Sequence, residues 1–300
     1  MITEAIAYME EVKQGSSKAL ARVISFIEND SGDYVMLLKS LQAKPVPVIG
    51  ITGPPGAGKS TITDALIGEL RKNAKRVAVL CVDPSSPFSK GALLGDRIRM
   101  NNWYNDPGVF IRSFASHGSL GGLHPKMIEI TELLKSSLFD YILVETVGVG
   151  QSEIEIASLA DITIVVLVPE AGDDIQAMKA GLMEIADVFV VNKCDRPGAE
   201  QFIANLEQMR KHSKEHKEIP VIKTIAIQKK GTGELAAILA NNPAVTYKRK
   251  LKILTEKVYQ LIVQEKIKHI NKSELENDIK KALDQETFNM YQFAESYYTK

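Results

Sequence analysis

Residues 53–60 read GPPGAGKS and stand between a short apolar run, VIGIT, and a stretch of helical character, STITDALIGELRK. The spacing G-x-x-x-x-G-K-[ST] therefore occurs in the order strand, loop, helix that gives it chemical meaning. Gly53, Pro54, Pro55, Gly56, Ala57, Gly58, Lys59, Ser60 and Thr61 form a loop whose backbone N–H groups and following helix N-terminus can surround an anion. Glycine at three of these positions lets the main chain approach phosphate closely. Lys59 is long enough to reach the β and γ phosphates of a nucleotide, and the Ser60 hydroxyl is a candidate ligand for Mg²⁺.

Downstream and upstream of this loop the chain keeps one rhythm. Apolar runs recur as PVIGIT, RVAVLCVD, GVFIRS, YILVET, ITIVVLVP, VFVVNK and VIKTIAI, with helical segments between them. Near-continuous Val, Ile and Leu imply strands buried on both faces, so the expected fold is α/β, with a mainly parallel central sheet flanked by helices. In such folds ligands bind beyond the carboxyl ends of strands, where each motif described here falls. Ahead of the sheet, GSSKALARVISFIEN places Leu20, Val23, Ile24 and Ile27 at helical spacing. After Pro243 come two Lys- and Glu-rich helical stretches, the first with Leu251, Leu254, Val258 and Leu261 on one face. The expected division is a helical extension over 1–44, a nucleotide-binding domain over 45–243, and a helical arm over 244–300 that serves dimerisation.

The base is read from N-K-x-D, here Asn192, Lys193 and Asp195, directly after the run DVFVV. A carboxylate at a strand end accepts hydrogen bonds from the N1–H and exocyclic amine of guanine, donors that adenine does not present. A site built on such donors can reject the wrong base by roughly 10⁴ to 10⁵. Further along, Ile225, Ala226 and Ile227 stand where a Ser-Ala pair usually offers its backbone to the guanine oxygen. The main-chain contact survives that replacement and the serine hydroxyl does not.

Glu145 closes the run YILVE and opens ETVG, which puts a carboxylate near the metal and Gly148 where its N–H can meet the γ phosphate. Glutamate is one methylene longer than the aspartate common at this position, and both direct and water-mediated ligation stay open. Asp83, at the end of RVAVLCVD, and Asp96, in the loop that follows, are candidate metal or water-positioning groups; a turn cap and a solvated loop acid are the alternative readings.

Several classes are disfavoured. Thirty-seven basic residues balance thirty-seven acidic ones, leaving no field that favours nucleic acid. Two cysteines, Cys81 and Cys194, both in or beside apolar strands, fit a reducing compartment better than a disulfide framework. The opening MITEAIAYMEEVKQG lacks the basic and apolar regions of a secretory signal, and no eighteen-residue apolar stretch exists, so a cytoplasmic protein without a membrane span is expected.

GPPGAGKST, DPSS with LLGDRIRM, ETVGVGQSE, PEAGDDIQAMKAG and NKCD follow one another in the order and spacing of the MeaB-type GTPases, relatives of the human methylmalonic aciduria type A protein. The resemblance also takes in KALARVISFIEN and RSFASHGSLGGL and spans roughly residues 15 to 240; ETVGVGQSE and GDDIQAMKAG are its most specific parts. It implies a P-loop NTPase fold, bound GTP or GDP, and hydrolysis of GTP with Mg²⁺. Position by position, it implies phosphate and metal binding by Lys59 and Ser60, with Asp83, Asp96 and Glu145 around the ion and Lys59, Asp96 and Glu145 serving catalysis. It further implies a partner-facing switch at Asp173, Asp174, Gln176 and Lys179. That switch meets an adenosylcobalamin-dependent acyl-CoA mutase, methylmalonyl-CoA mutase foremost, whose cofactor loading and protection the G protein gates; the family's members are homodimers.

The chain departs from the family pattern at Ile225, in SKGALLGD, which lacks a double glycine, at His124-Pro125 and over the last sixty residues. Two other readings share the phosphate loop. A nickel-delivery GTPase needs clustered soft or imidazole ligands, whereas His117, His124, His212, His216 and His269 have no cysteine partner in sequence. A P-loop ATPase or small-molecule kinase is opposed by N-K-x-D.

Overall fold

A computed structural model describes residues 2–31, 34–83, 100–115, 123–146, 152–171, 182–211, 219–241, 247–268, 270–283 and 288–298. It divides into two units, 1–253 and 254–300.

Among the described residues, seven strands form the sheet of the first unit: β1 (Val48–Thr52), β2 (Val77–Asp83), β3 (Val109–Ala115), β4 (Tyr141–Glu145), β5 (Ile162–Leu167), β6 (Val188–Val191) and β7 (Val221–Lys223). Their order is β3-β2-β4-β1-β5-β6-β7, and every neighbouring pair is parallel. All seven apolar runs of the sequence thus become strands. The last is much shorter than its run, because the Thr224 N–H makes the final bond of the ladder, to Val191 O at 2.8 Å, and Ala226–Gln228 then turn into a single 3₁₀ helix.

Alternation along each strand explains why these runs are continuously apolar. Ile49 and Ile51 of β1, Val77, Val79 and Cys81 of β2 and Leu143 of β4 enter one core layer. Val48, Ala78, Leu80, Val82, Ile142 and Val144 enter the other. Each face therefore needs its own cover of helices.

On the first face lie α4 (Lys59–Lys72), α8 (Ala199–Lys211) and α9 (Thr232–Asn241), contributing Ile62, Leu66, Phe202, Leu206, Leu235 and Leu239. The second face is covered by α1 (Ile2–Lys13), α2 (Ser17–Glu28), α3 (Tyr34–Lys39), α5 (Met127–Lys135) and α6 (Ser152–Leu159). A short α7 (Leu182–Ile185) precedes β6. The amphipathic segment read from the sequence becomes α2: Leu20, Val23, Ile24 and Ile27 are buried, and the Ser16 hydroxyl accepts from Ala19 N–H at 3.2 Å as the N-cap. Such a cap contributes about 1 kcal/mol. A second N-terminal helix, α1, adds Met9 and Val12 to the same layer.

A group of charges links α2, α3 and α5. Lys126 Nζ bonds Asp30 Oδ1 at 2.6 Å and Tyr34 Oη at 2.8 Å, and lies 3.8 Å from Glu129 Oε1. Glu129 is 7% exposed and its other carboxylate oxygen has no hydrogen-bond partner; burial raises its carboxyl above the usual range. His124, the departure from the family pattern, is buried against Phe114 with ring centroids 5.4 Å apart, and its Nδ1 accepts from Lys126 N–H.

The second unit holds most of α10 (Tyr247–Ile267), together with α11 (Lys272–Leu283) and α12 (Met290–Tyr298). The third of these helices was not read from the sequence. Tyr297 donates to Asp278 Oδ2 at 2.9 Å, joining α12 to α11. Leu254, Val258 and Leu261 of α10 are exposed. No described helix is long and apolar enough to cross a membrane.

Candidate functional site

The loop after β1 takes the shape its glycines permit. Gly53, Gly56 and Gly58 have φ of 136°, 75° and 92°, in the range that side-chain-bearing residues rarely adopt. A Cβ on Gly53 would stand 2.1 Å from the Val166 carbonyl oxygen of β5, and one on Gly58 would stand 2.4 Å from Asn192 Nδ2. Space around Gly56 is open, so its glycine answers to the turn alone.

From Gly58, α4 begins with Lys59 and Ser60, both buried. The Lys59 ammonium donates to the carbonyl oxygens of Gly53 at 2.9 Å and Pro54 at 3.1 Å, so it lies folded over the loop that precedes it. Pro55 and Gly56 are exposed at the loop's crest, while Ala57 is buried beneath it.

β4 neighbours β1, which brings Glu145 opposite Ile51 and hence beside the start of α4. Its carboxylate, 3% exposed, receives two hydroxyls: Ser60 Oγ lies 2.6 Å from Oε1 and Thr63 Oγ1 lies 2.9 Å from Oε2. Thr63 had no place among the residues read from the sequence. The signal available was a hydroxyl three residues after Ser60, hence on the same helix face.

Asn192, 3% exposed, joins three segments. Its Nδ2 donates to Ala57 O at 2.9 Å, and its Oδ1 accepts from Thr224 Oγ1 and from Ala226 N–H, each at 3.1 Å. Lys193 follows with φ 57° and donates to Gly56 O at 2.8 Å. Asp195 is exposed at the rim of the same turn, and Arg196 bonds Glu170 at the exit of β5, holding that carboxyl below its usual range. Ile225 is half-buried, Ala226 buried and Ile227 85% exposed. Cys194 donates its thiol to Val191 O at 3.0 Å, and burial raises its pKa.

Lys59, Ser60, Glu145, Asn192 and Lys193 are therefore brought to one end of the sheet, at the carboxyl ends of β1, β4 and β6. Asp83 closes β2, two strands from β1 in the sheet order. Asp96, Gly148, Asp173, Asp174, Gln176 and Lys179 lie outside the described residues. So do four of the five histidines, and among the described residues no group of three or more His, Cys, Asp or Glu could hold a metal ion.

As to a divalent ion, the donors present are a hydroxyl and a carboxylate, both buried and both oxygen. That is the hard donor set Mg²⁺ prefers, and the neighbouring loop amides suit the phosphates that complete its shell. The residues fit the ion.

Comparison with known proteins agrees with this geometry. Residues 20–284 match the family model described as methylmalonyl Co-A mutase-associated GTPase MeaB. A Pyrococcus horikoshii protein provisionally named a GTPase is 47% identical over 234 residues, 76% of this chain and 74% of its own. The fused isobutyryl-CoA mutase of Cupriavidus metallidurans is 39% identical over 198 residues, 64% of this chain and 18% of that one. Among solved structures, the LAO/AO transport system kinase shares the fold, with a TM-score of 0.63 at 22% identity over 98% of this chain and 96% of that one.

Proposed function

Since the chain belongs to the MeaB family, we propose that it is a Mg²⁺-dependent GTPase of the cytoplasm that gates adenosylcobalamin loading and protection of an acyl-CoA mutase, methylmalonyl-CoA mutase foremost. The observation that carries the reading is the convergence of three groups: the loop amides of 53–60, the buried Ser60 and Glu145 pair, and Asn192 tying the N-K-x-D turn to Ala57. Family membership supplies the class of reaction and of partner, and the fused mutase relative supports a mutase as client.

Hydrolysis cleaves the bond between the γ phosphorus and its bridging oxygen and joins a water oxygen to phosphorus, giving GDP and phosphate. Such transfer depends on alignment and charge neutralisation more than on covalent help. The loop amides and the N-terminus of α4 hold the phosphates, and Lys59 exchanges the carbonyls of Gly53 and Pro54 for phosphate oxygens. Ser60 and Glu145 hold magnesium, which when bound neutralises charge on those oxygens; Asp83 and Asp96 complete its surroundings. Asp195 accepts from guanine, and the Ala226 N–H, next to Ile225 and Ile227, exchanges Asn192 Oδ1 for the guanine oxygen. Gly148 N–H meets the γ phosphate.

The switch of Asp173, Asp174, Gln176 and Lys179 faces the mutase, and engagement of that partner accelerates turnover. Homodimerisation covers the exposed apolar side chains Leu254, Val258 and Leu261 of α10, a patch unusual for solvent.

Calorimetry of the purified chain with GTP, GDP and ATP, each with and without Mg²⁺, tests the nucleotide reading. Magnesium-dependent uptake of guanine nucleotides is expected; preference for ATP, or no uptake, overturns it. GTP turnover measured with and without the cognate mutase tests the partnership, which an unchanged rate would refute.

A further inference from the structure

We propose that Thr63 is a positioning residue for the magnesium carboxylate, holding Glu145 so that only one of its oxygens is presented to the ion. The inference rests on the nucleotide reading above and adds a residue to it. Ser60 and Thr63 are one turn apart at the start of α4, so their hydroxyls leave the helix on the same side. Glu145 reaches across from β4 and meets both, Oε1 with Ser60 at 2.6 Å and Oε2 with Thr63 at 2.9 Å.

The two hydroxyls differ in what else they can do. Ser60 opens α4 beside the phosphate loop, where an ion bound to phosphates can take its oxygen as a ligand. Thr63 is completely buried, and its only other described acceptor is the Lys59 carbonyl oxygen at 3.0 Å within its own helix. A hydroxyl has one proton, and of these two acceptors the carboxylate is the stronger. Thr63 therefore spends its donor on Oε2 and leaves Oε1 for the ion or its water.

A glutamate requires such a hold more than an aspartate would. Its extra methylene adds a rotatable bond, and a carboxylate free to turn would present either oxygen, or both, at a cost in ordering when the ion binds. A β-branched threonine is suited to the task because its own side-chain torsion is restricted in a helix, where the hydroxyl has few choices. The hold thus works through Glu145, and Thr63 itself touches neither nucleotide nor metal.

Thr63→Val keeps the shape and deletes the donor. Binding of fluorescent GDP is followed while Mg²⁺ is titrated, and separately in excess EDTA. For Thr63→Val the Mg²⁺ concentration for half-maximal effect is expected to rise about tenfold to a hundredfold, the range for loss of a group that orients a metal ligand. Affinity in EDTA should stay within about twofold of the parent, and Thr63→Ser, which keeps the hydroxyl, should restore most of the magnesium response. Thr63→Ala is read in the same way should the valine variant fail to fold. An unchanged magnesium requirement, or an equal loss with and without the ion, overturns the inference. A parent chain that takes up no GDP under either condition would instead sink the nucleotide reading itself.

Discussion

Asn192 donates from Nδ2 to the Ala57 carbonyl oxygen across 2.9 Å, so the turn after β6 is tied to the loop after β1 by one buried amide. The same side chain also accepts from Thr224 and Ala226. Replacing it by alanine takes this partner from the Ala57 carbonyl and the Ala226 N–H in a dry site and leaves the Thr224 hydroxyl only the longer bond to Val191 O at 3.4 Å. Asn192→Ala is expected to destabilise the fold by about 1–3 kcal/mol in urea unfolding and to weaken guanine nucleotide binding about tenfold by calorimetry. Loss of affinity with no loss of stability would mean that the amide serves the ligand and not the loops.

Two glycines of the phosphate loop separate strain from contact. Gly53→Ala puts a methyl 2.1 Å from Val166 O at φ 136°, with backbone on the other side and nowhere to yield. Gly56→Ala meets only open space at φ 75°. The second should cost about 1–2 kcal/mol for the left-handed conformation, and the first should cost clearly more. Equal melting temperatures for the two variants would contradict this packing.

Asp195 is the exposed end of the N-K-x-D turn. On the proposed role of Asp195 as acceptor for the guanine donors, Asp195→Ala should lower the preference for GTP over ATP in a competition assay about 100-fold or more. Retained preference would move base recognition to the backbone near Ala226.

Glu129 links stability to pH. Burial raises its carboxyl above the usual range, against the opposing pull of Lys126. Between the ordinary value, about 4.3, and the higher folded one, the native chain holds a proton that the unfolded chain has lost, so this group's contribution falls as pH rises through that window. Glu129→Gln abolishes the titration. The variant should gain melting temperature on the parent near pH 7 and little near pH 4; an equal difference at both would show that the carboxyl does not titrate there.

Local pattern made much of this legible. Strands buried on both faces are written as continuous apolar runs, and the phosphate loop as glycines whose dihedrals other residues avoid; both effects act within a few residues of chain. The same holds for α2, whose Ser16 cap and Leu20, Val23, Ile24 and Ile27 repeat within one helix. The seventh apolar run is longer than its strand because apolar character carries no mark of where the chain turns away after the last ladder bond, from Thr224 N–H to Val191 O.

What residue order alone settled, then, is everything whose cause is near in the chain: the α/β class, the loop for phosphate, and the turn at Asn192, Lys193 and Asp195. Tertiary structure decided which distant groups meet. Glu145 is 82 residues from Thr63 and Asn192 is 135 from Ala57, and neither separation has a period or a motif to announce it. Those contacts exist because β4 and β6 are packed beside β1 and β5 in an order that no single segment encodes.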